Sequence, residues 1–548
     1  MVQIEEHTTI MEALLQAADR YADQPLFIVP ANSERDYAPQ GLSLSYAQIA
    51  QQVQQVARIY KEAGFGVGHY VALYLDNQPA QLIHKLALNS LGVCCVPINP
   101  SYRVAELVYL LEHSQPELVV ALPQHMAHAQ QALAESTHTP QLINVEQFEQ
   151  LRGATTKATQ QVPTAETSAS ILYTSGTTGR PKGCVLSHRY ELACGDWYAR
   201  RGGLVEIHEG KDRLYNPLPL FHINSSVLSF FCMMLTGGAQ IQSDRFSPSR
   251  WWEEIYQTKA SIAHYLGVII PLLLKQDPSE YEKKHQIRFA HGAGVEPQLH
   301  AEFEERFGFP LVELWGMTEI VRVFTVNKQP RKVGSRAFGR PEPGLEVQVV
   351  DSEGVPVAAG EPGEMRLRHS AETPRKDFFS GYLNDSKATE EAWKDGWFHT
   401  GDRVYQDPED QMLHFVDRDK NIIRRAGENI AAAEVEALIL THPAVRQVAV
   451  LAAPDEIREA EVLACVELKA EHQAQLLENP DLKQELAKSI FDYCNQQLAY
   501  YKTPGWLWFS EEIPTTGTQK IQKHQIFPSG INPTQLAGII DLRHLKRR

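Results

Sequence analysis

Apolar runs alternate with amphipathic stretches from about residue 40 to about residue 350, and this order limits the possible folds more than any other feature of the chain. The segment "YVALYLDN" is typical of a strand, "PAQLIHKLALNSLG" of a helix and "VCCVPIN" of the next strand. The helix-then-strand order returns in "ELVYLLEHSQPELVVAL". Such alternation predicts an α/β domain in which helices are layered on parallel-rich sheets.

The pattern changes twice towards the C-terminus. Residues 345–417 hold short apolar segments broken by Gly and Pro, which predicts a small β-rich subdomain. A helical segment, "AAAEVEALILTH", and two strand-like segments then follow. We therefore expect a large N-terminal domain over residues 1–417, with the β-rich subdomain at its end, and a small mobile α+β domain over residues 418–548. The Gln- and Thr-rich segment 123–165 predicts a mobile surface connection.

Charge and composition exclude several classes of protein. The net charge of −15 argues against nucleic-acid binding, because phosphate backbones need a basic surface. No uncharged apolar run reaches the ~18 residues of a membrane span, and the acidic N-terminus lacks the core of a signal peptide. Seven scattered cysteines fit reduced thiols. We expect a cytoplasmic monomer or homodimer without an integral membrane segment, and a solvated tail at "RHLKRR".

The segment "ILYTSGTTGRPKG" (residues 171–183) is the first candidate binding site. It begins as an apolar strand and becomes a polar loop, in which Gly176 and Gly179 permit close backbone turns. Successive N–H groups in such a turn form an anion-binding nest, and Lys182 adds positive charge. The loop is not a Walker A motif, since no G-x-x-x-x-G-K-[ST] can be read here. Taken alone, it fits either a phosphate-binding loop or a polar surface turn.

The loop resembles the signature of the acyl-adenylate-forming family, which includes acyl-CoA synthetases, luciferases and peptide-synthetase adenylation domains. Further segments resemble family motifs in the family's order: "PLPLFHIN", "RFAHGAGVEP", "ELWGMTEI", "DGWFHTGD", "RRAGENI" and "IPTTGTQKIQK". The segments "TPRKDFFSGYLND", "FVDRDKNIIRRAGENI" and "PDEIREAEV" look most like the branch of crotonobetaine/carnitine-CoA ligases and fatty-acyl-CoA ligases.

The resemblance implies a site for ATP and Mg²⁺. Glu319 would hold Mg²⁺, Thr318 would donate to the α-phosphate, and Lys520 would neutralise charge during attack on that phosphate. Trp315 would stack on adenine or form a wall of the acyl pocket. Gln519 stands where the family usually has Gly. The nucleotide-binding residues implied are Thr174, Ser175, Gly176, Thr177, Thr178, Gly179, Lys182, Gly292, Ala293, Gly294, Glu313, Leu314, Trp315, Gly316, Met317, Asp402 and Arg418.

The resemblance also implies an acyl pocket, a CoA site and a hinge. Gly427 and Glu428 would face CoA, and Lys420 would be the hinge about which the small domain turns. Trp197, Tyr198 and Tyr265 are aromatic residues that would either cage a quaternary ammonium group or line a fatty or aromatic pocket. The acyl-pocket candidates are His222, Asn224, Tyr265, Gly267, Met317 and Val321.

The function implied is that of an AMP-forming carboxylate–CoA ligase. A carboxylate and ATP would give acyl-AMP and diphosphate, and CoA would then give acyl-CoA and AMP. The alternative is loading of the acyl group onto a separate carrier protein; no carrier domain follows Arg548, which favours free CoA. A catalytically inactive nucleotide sensor is a further alternative. A serine hydrolase is excluded on sequence, because no G-x-S-x-G occurs.

Overall fold

Local sequence signals set where the first helices begin. Thr9 caps α1 (Ile10–Arg20) by accepting a hydrogen bond from the Glu12 N–H, while the Glu12 side chain accepts from the Thr9 N–H. Helix α3 (Pro79–Ser90) starts with proline, whose fixed φ suits the first turn and whose missing N–H costs nothing there. Strand β4 (Cys94–Pro97) follows α3 and is buried throughout, as the alternation predicts.

The computed structural model describes residues 1–174, 181–418, 421–425, 428–455, 458–479, 481–498, 500–516, 521–528 and 530–546. The chain divides into a larger unit, Met1–Glu346 with Leu367–Phe398, and a smaller unit, Val347–Arg366 with His399–Arg548. The boundary expected after Asp417 stays a prediction.

Two sheets form the framework of the larger unit. The first sheet has the order β14-β13-β12-β11-β9-β10-β1-β2, and its inner strands from β13 to β1 pair in parallel. Antiparallel strands close both edges. Its strands are β1 (Pro25–Val29), β2 (Leu42–Ser45), β9 (Arg213–Asn216), β10 (Ala239–Gln242), β11 (Ile262–Leu266), β12 (Phe289–Ala293), β13 (Leu311–Trp315) and β14 (Phe324–Thr325).

The second sheet has the order β18-β8-β7-β4-β3-β5-β6, and it is parallel from β7 to β6. Strands β7 and β8 form an antiparallel pair, and β18 adds to β8 in the same sense. Besides β4, its strands are β3 (Tyr70–Tyr74), β5 (Leu118–Ala121), β6 (Gln141–Asn144), β7 (Ser168–Thr174), β8 (Lys182–Ser187) and β18 (Gly381–Tyr382).

Helices cover these sheets and bury their apolar faces. On the first sheet, Trp251, Tyr265 and Phe303 belong to one buried cluster, which joins strands to the helices beside them. The remaining helices of the larger unit are α2 (Tyr46–Glu62), α4 (Val104–Ser114), α5 (Met126–Glu135), α6 (His188–Ala199), α7 (Phe230–Thr236), α8 (Trp251–Thr258), α9 (Ile269–Leu274), α10 (Pro297–Phe307) and α11 (Ser386–Ala392), with a π-helix at Asn224–Ser229 before α7.

The rest of the chain is richer in antiparallel strands. A third sheet contains β16 (Glu346–Val350), β17 (Gly363–Arg368), β20 (Trp397–Gln406) and β21 (Leu413–Arg418), and short strands lie at β15 (Ala337–Gly339) and β19 (Trp393–Lys394). The C-terminal sheet has the order β23-β22-β25-β26-β27, with β24 beside β25. Its elements are β22 (Ile422–Arg425), β23 (Glu428–Ala431), α12 (Ala432–Leu440), β24 (Val445–Asp455), β25 (Glu459–Leu468), α13 (Ala470–Glu478), α14 (Leu482–Asn495), β26 (Trp506–Ser510) and β27 (Ile540–Asp541).

The predicted fold class is confirmed: a large α/β part with parallel-rich sheets, a β-rich subdomain and a small α+β C-terminal part. The prediction for segment 123–165 is wrong, since it contains α5 and the sheet strand β6. Strand β6, with the sequence Gln-Leu-Ile-Asn, is half-buried at the edge of its sheet, so half of its residues can stay polar. Within the described residues, no helix has the length and apolar character needed to cross a bilayer. All seven cysteines are free and buried.

The expectation of a solvated basic tail is also wrong for Lys546. Its ammonium group is buried and donates to Glu461 Oε1 at 2.7 Å, and Arg425 Nε lies 2.9 Å from Glu461 Oε2. Burial lowers the pKa of Lys546 to about 8. A buried carboxylate needs cations as partners, and Lys546 is one of the two cations that pair with Glu461.

Candidate functional site

The candidate nucleotide site begins at the carboxyl ends of three neighbouring parallel strands, β11, β12 and β13. In register, Tyr265 lies opposite Gly292, and Gly292 lies opposite Glu313. In open α/β sheets, ligands bind at this edge, because the loops that follow the strands meet there. The structure therefore brings together the predicted residues Tyr265, Gly267, Gly292, Ala293, Gly294, Glu313, Leu314 and Trp315.

The glycines at this edge allow segments of the protein to approach one another. A Cβ at Gly292 would lie 2.2 Å from the Tyr265 carbonyl oxygen, and a Cβ at Gly267 would lie 1.8 Å from the Gly294 carbonyl oxygen. Both distances are far below van der Waals contact. The packing of the backbone therefore already requires glycine at positions 267 and 292.

Glu313 ties the three strands together. Its carboxylate accepts from the Tyr265 hydroxyl, from the Gly294 N–H at 2.9 Å and from the Val295 N–H at 3.3 Å. Burial raises the pKa of Glu313 to about 7, although these donors favour the charged form. The partners described for this carboxylate are protein groups. A contact between Glu313 and the nucleotide stays a prediction.

The second part of the site joins Glu319 to β8, the strand that follows the polar loop of the segment 171–183. Glu319 is buried, and its Oε1 accepts from the Tyr382 hydroxyl at 2.8 Å. The Lys182 ammonium lies 4.8 Å from the centre of the same Tyr382 ring. Pairing of β8 with β18 places Tyr382 opposite Cys184, which brings these groups together. One phenol therefore contacts both the predicted metal ligand and the predicted phosphate-binding lysine.

Tyr382 was not among the residues predicted for the site. The signal that could have identified it is the segment "TPRKDFFSGYLND", which contains Tyr382 and resembles the family. The backbone around Glu319 is fixed from both sides as well: Tyr190 donates to the Thr318 carbonyl at 2.8 Å, and the Phe379 N–H donates to the Glu319 carbonyl at 2.9 Å.

Two residues of helix α4 contact the chain on either side of this polar loop. The Tyr109 hydroxyl donates to the Pro181 carbonyl at 2.9 Å, after the loop, and His113 Nδ1 lies 2.8 Å from the Tyr173 hydroxyl, before it. Thr174 ends β7 and Lys182 starts β8, opposite each other. The predictions for Ser175, Gly176, Thr177, Thr178 and Gly179 fall outside the described residues.

The acyl-pocket candidates lie in different surroundings. Phe221 and His222 pack ring against ring at 4.8 Å and are half-buried, and Met317 is half-buried too. Val321 is 1% exposed, so it packs in the protein interior. Trp315 contacts Phe324 and Phe338, with ring centres 5.7 and 6.0 Å apart.

The three aromatic residues considered as a cage have other partners. The Arg201 guanidinium lies 4.2 Å from the Trp197 ring, so a cation already covers that indole. Tyr198 and Tyr265 are fully buried, and their hydroxyls contact His264 and Glu313. These contacts argue against a quaternary-ammonium cage formed by Trp197, Tyr198 and Tyr265.

In the smaller unit, Asp402 and Arg418 are cross-strand neighbours on β20 and β21. Asp402 is buried, and its N–H donates to Thr400 Oγ1 at 3.1 Å. The strand pairing thus aligns the two residues that the resemblance assigns to the ribose and phosphate. The predictions for Lys420, Gly427 and Lys520, and those for the side chains of Arg418 and Glu428, fall outside the described part of the structure.

Two family models match the chain, one over each of its two parts. The model of the AMP-binding enzyme matches residues 14–383, and that of the AMP-binding enzyme C-terminal domain matches residues 434–520. The chain belongs to the AMP-binding enzyme family. The predicted family and its enzyme class, the AMP-forming acid–thiol ligases, are confirmed.

Relatives of this AMP-binding enzyme include CoA ligases. The crotonobetaine/carnitine–CoA ligase of Escherichia coli O45:K1 (strain S88 / ExPEC) is 30% identical over 492 residues, which are 87% of this chain and 92% of that protein. The o-succinylbenzoate CoA synthetase (MenE) from Bacillus subtilis, in complex with the acyl-adenylate intermediate OSB-AMP, is similar with a TM-score of 0.78 and 25% identity, covering 96% of this chain and 99% of that one. The same synthetase in complex with ATP and a magnesium ion gives a TM-score of 0.75 and 24% identity, covering 94% and 98%.

Proposed function

We propose that this AMP-binding enzyme is an ATP-dependent carboxylate–CoA ligase. A carboxylate oxygen attacks the α-phosphorus of ATP, which gives acyl-AMP and diphosphate, and the CoA thiol then attacks the acyl carbonyl and releases AMP. The observation that carries the proposal is that Glu319 and Lys182 both contact the phenol of Tyr382, at the start of the strand that follows the polar loop.

The first step brings an anion against a polyanion, so positive charge must be gathered around the phosphates. Lys182 and Lys520 provide ammonium groups, and Thr318 provides a hydroxyl donor. The carboxylate of Glu319 is a hard oxygen ligand of the kind that Mg²⁺ prefers, so it suits this ion. When bound, Mg²⁺ supplies further positive charge beside the phosphate oxygens.

The remaining residues hold the nucleoside and the second substrate. Asp402 accepts from the ribose hydroxyls, and Arg418, opposite it, contacts the ribose or phosphate. Gly427 and Glu428 face the CoA arm in the second step. The C-terminal part turns about Lys420 between the two steps, so that one site serves two unlike reactions.

The decisive experiment separates the two half-reactions. Diphosphate release is measured with ATP, Mg²⁺ and a panel of carboxylic acids, and thioester formation is measured with synthetic acyl-AMP and either CoA or a holo-carrier protein. Lys520→Ala should abolish the first reaction and spare the second. Lys502→Ala is the matched control, because it removes an ammonium group that pairs with Glu434 at 2.6 Å near the surface.

Two results would contradict the proposal. Diphosphate release that does not depend on any added acid would remove acyl activation. Transfer to a holo-carrier but not to CoA would replace CoA as the thiol acceptor. Equal loss of both half-reactions in Lys520→Ala would contradict only the role of Lys520 and would leave the rest of the proposal standing.

A further inference from the structure

A row of buried polar side chains lies on one face of the first sheet, next to the acyl-pocket candidate Asn224. Asn216 and Gln242 are opposite each other on β9 and β10, His264 lies on β11, and all three are fully buried. Serines of the π-helix at Asn224–Ser229 bind to this row, for example Ser225 Oγ to Gln242 Oε1 at 2.7 Å. The polar side chains beneath the π-helix therefore form a hydrogen-bonded network.

One backbone N–H group fixes the orientation of two side-chain amides, those of Asn216 and Asn224. The Leu218 N–H can only donate, and it donates to Asn216 Oδ1 at 2.9 Å. Asn216 Nδ2 is consequently a donor, and its partner at 3.0 Å on Asn224 must be the acceptor Oδ1. The orientation of Asn224 thus follows from the network.

The oxygen of Asn224 in turn fixes the tautomer of His264. His264 Nδ1 lies 2.7 Å from Asn224 Oδ1, so Nδ1 carries the proton. Burial lowers the pKa of His264 well below its ordinary value, which keeps the ring neutral. Nε2 then accepts from the Tyr198 hydroxyl at 3.1 Å. Two donors therefore converge on Asn224 Oδ1.

With its oxygen held by Asn216 and His264, Asn224 directs its NH₂ group away from the network. Asn224 is half-buried, like Phe221 and His222 just before it, whereas Asn216, His264 and Tyr198 are fully buried. The network therefore ends in two N–H donors at the part-exposed end of the π-helix. In the free enzyme water can accept from this half-buried donor, but a substrate that covers it must supply an acceptor, because an amide that loses water and gains no partner is costly.

We propose that the Asn224 amide selects the acyl group by donating an N–H to an acceptor on it, so that the substrate is a short carboxylic acid with a carbonyl or similar oxygen a few carbons from the carboxyl group. This inference rests on the proposed function. A long alkyl chain is disfavoured, because it would take the amide out of water without giving it an acceptor.

The test uses pairs of acids of nearly equal shape. The pairs are 3-oxobutanoate with 3-methylbutanoate, 4-oxopentanoate with 4-methylpentanoate, and 5-oxohexanoate with 5-methylhexanoate; decanoate is the long-chain probe. Diphosphate release is measured with ATP and Mg²⁺. We expect one or more oxo acids to exceed their methyl partners and decanoate by about 10- to 100-fold in kcat/KM.

The matched variant is Asn224→Asp. It keeps the oxygen that Asn216 and His264 require and loses the NH₂ group, so we expect it to fold and to lose the preference for oxo acids. Asn224→Leu, which also removes the oxygen, should lose the preference together with thermal stability. A preference that survives in Asn224→Asp overturns the inference, as does equal turnover of methyl acids or decanoate by the parent enzyme.

Failure of this inference can be told apart from failure of the proposed function. Rapid release of diphosphate with decanoate leaves acyl activation standing and overturns the inference. No release with any of the seven acids also overturns it, and calorimetric binding of ATP with Mg²⁺ then shows whether the nucleotide-binding part of the proposed function stands.

Discussion

Replacing Glu313 with glutamine should change how the stability of the protein depends on pH. Burial raises the pKa of Glu313 from 4.5, the ordinary value of a glutamate, to about 7. Between these values the folded state binds more protons than the unfolded state, so the free energy of unfolding falls as pH rises. At roughly 1.4 kcal/mol per pKa unit, the full effect is about 3 kcal/mol, and most of it falls between pH 5 and pH 8.

Glu313→Gln cannot release this proton, so its free energy of unfolding should fall by about 2–3 kcal/mol less than that of the parent between pH 5 and pH 8. The Gly294 and Val295 N–H groups bind different oxygens of Glu313, and glutamine replaces one of these oxygens with NH₂. One N–H donor then loses its acceptor, which lowers stability at every pH. The informative quantity is therefore the change with pH, measured by urea unfolding followed by circular dichroism.

Glu304→Gln is the control. Burial alone would raise the pKa of Glu304, but hydrogen bonds from Arg331 and His300 outweigh burial and lower the pKa to about 2. The titration of Glu304 is thus nearly complete below pH 5 in both states, and this variant should follow the parent between pH 5 and pH 8. An equal pH dependence in Glu313→Gln and the parent would refute the assignment of a buried, proton-binding Glu313.

Three more predictions follow from the larger unit. Tyr382→Phe keeps the ring beside Lys182 but removes the donor to Glu319, so adenylation at limiting Mg²⁺ should fall roughly 10-fold and recover in excess Mg²⁺; an unchanged Mg²⁺ dependence would argue against this role. In the parent, the Lys85 ammonium lies 2.8 Å from the buried carboxylate of Glu191, and Lys85→Met leaves this carboxylate without its cation. The variant should lose about 3–5 kcal/mol of stability in urea titrations, and the second change Glu191→Leu should restore most of it. Gly292→Ala should lower the Tm and weaken ATP binding measured by calorimetry, because its Cβ would lie 2.2 Å from a carbonyl oxygen; a parent-like Tm would contradict the packing argument.

Predictions from the sequence succeeded where the signal is local and failed where it depends on distant partners. The segment "PAQLIHKLALNSLG" forms α3 and "VCCVPIN" contains β4, because periodicity and a proline start are properties of neighbouring residues. The docking of Lys546 was missed, since its partner Glu461 is far away in the chain. Strand β6 was missed because half of its residues are polar and its pairing with β5 is a contact that composition does not report.

The sequence by itself determined the α/β order of elements and, through motifs in a fixed order, the AMP-binding enzyme family. Only the tertiary structure placed the Tyr382 phenol between Glu319 and Lys182, and only the hydrogen bonds from Asn216 and His264 determined which end of the Asn224 amide is held. The physical reason is range. Helix and strand preferences arise between residues a few positions apart, whereas the direction of a hydrogen bond depends on which donors and acceptors folding brings within about 3 Å.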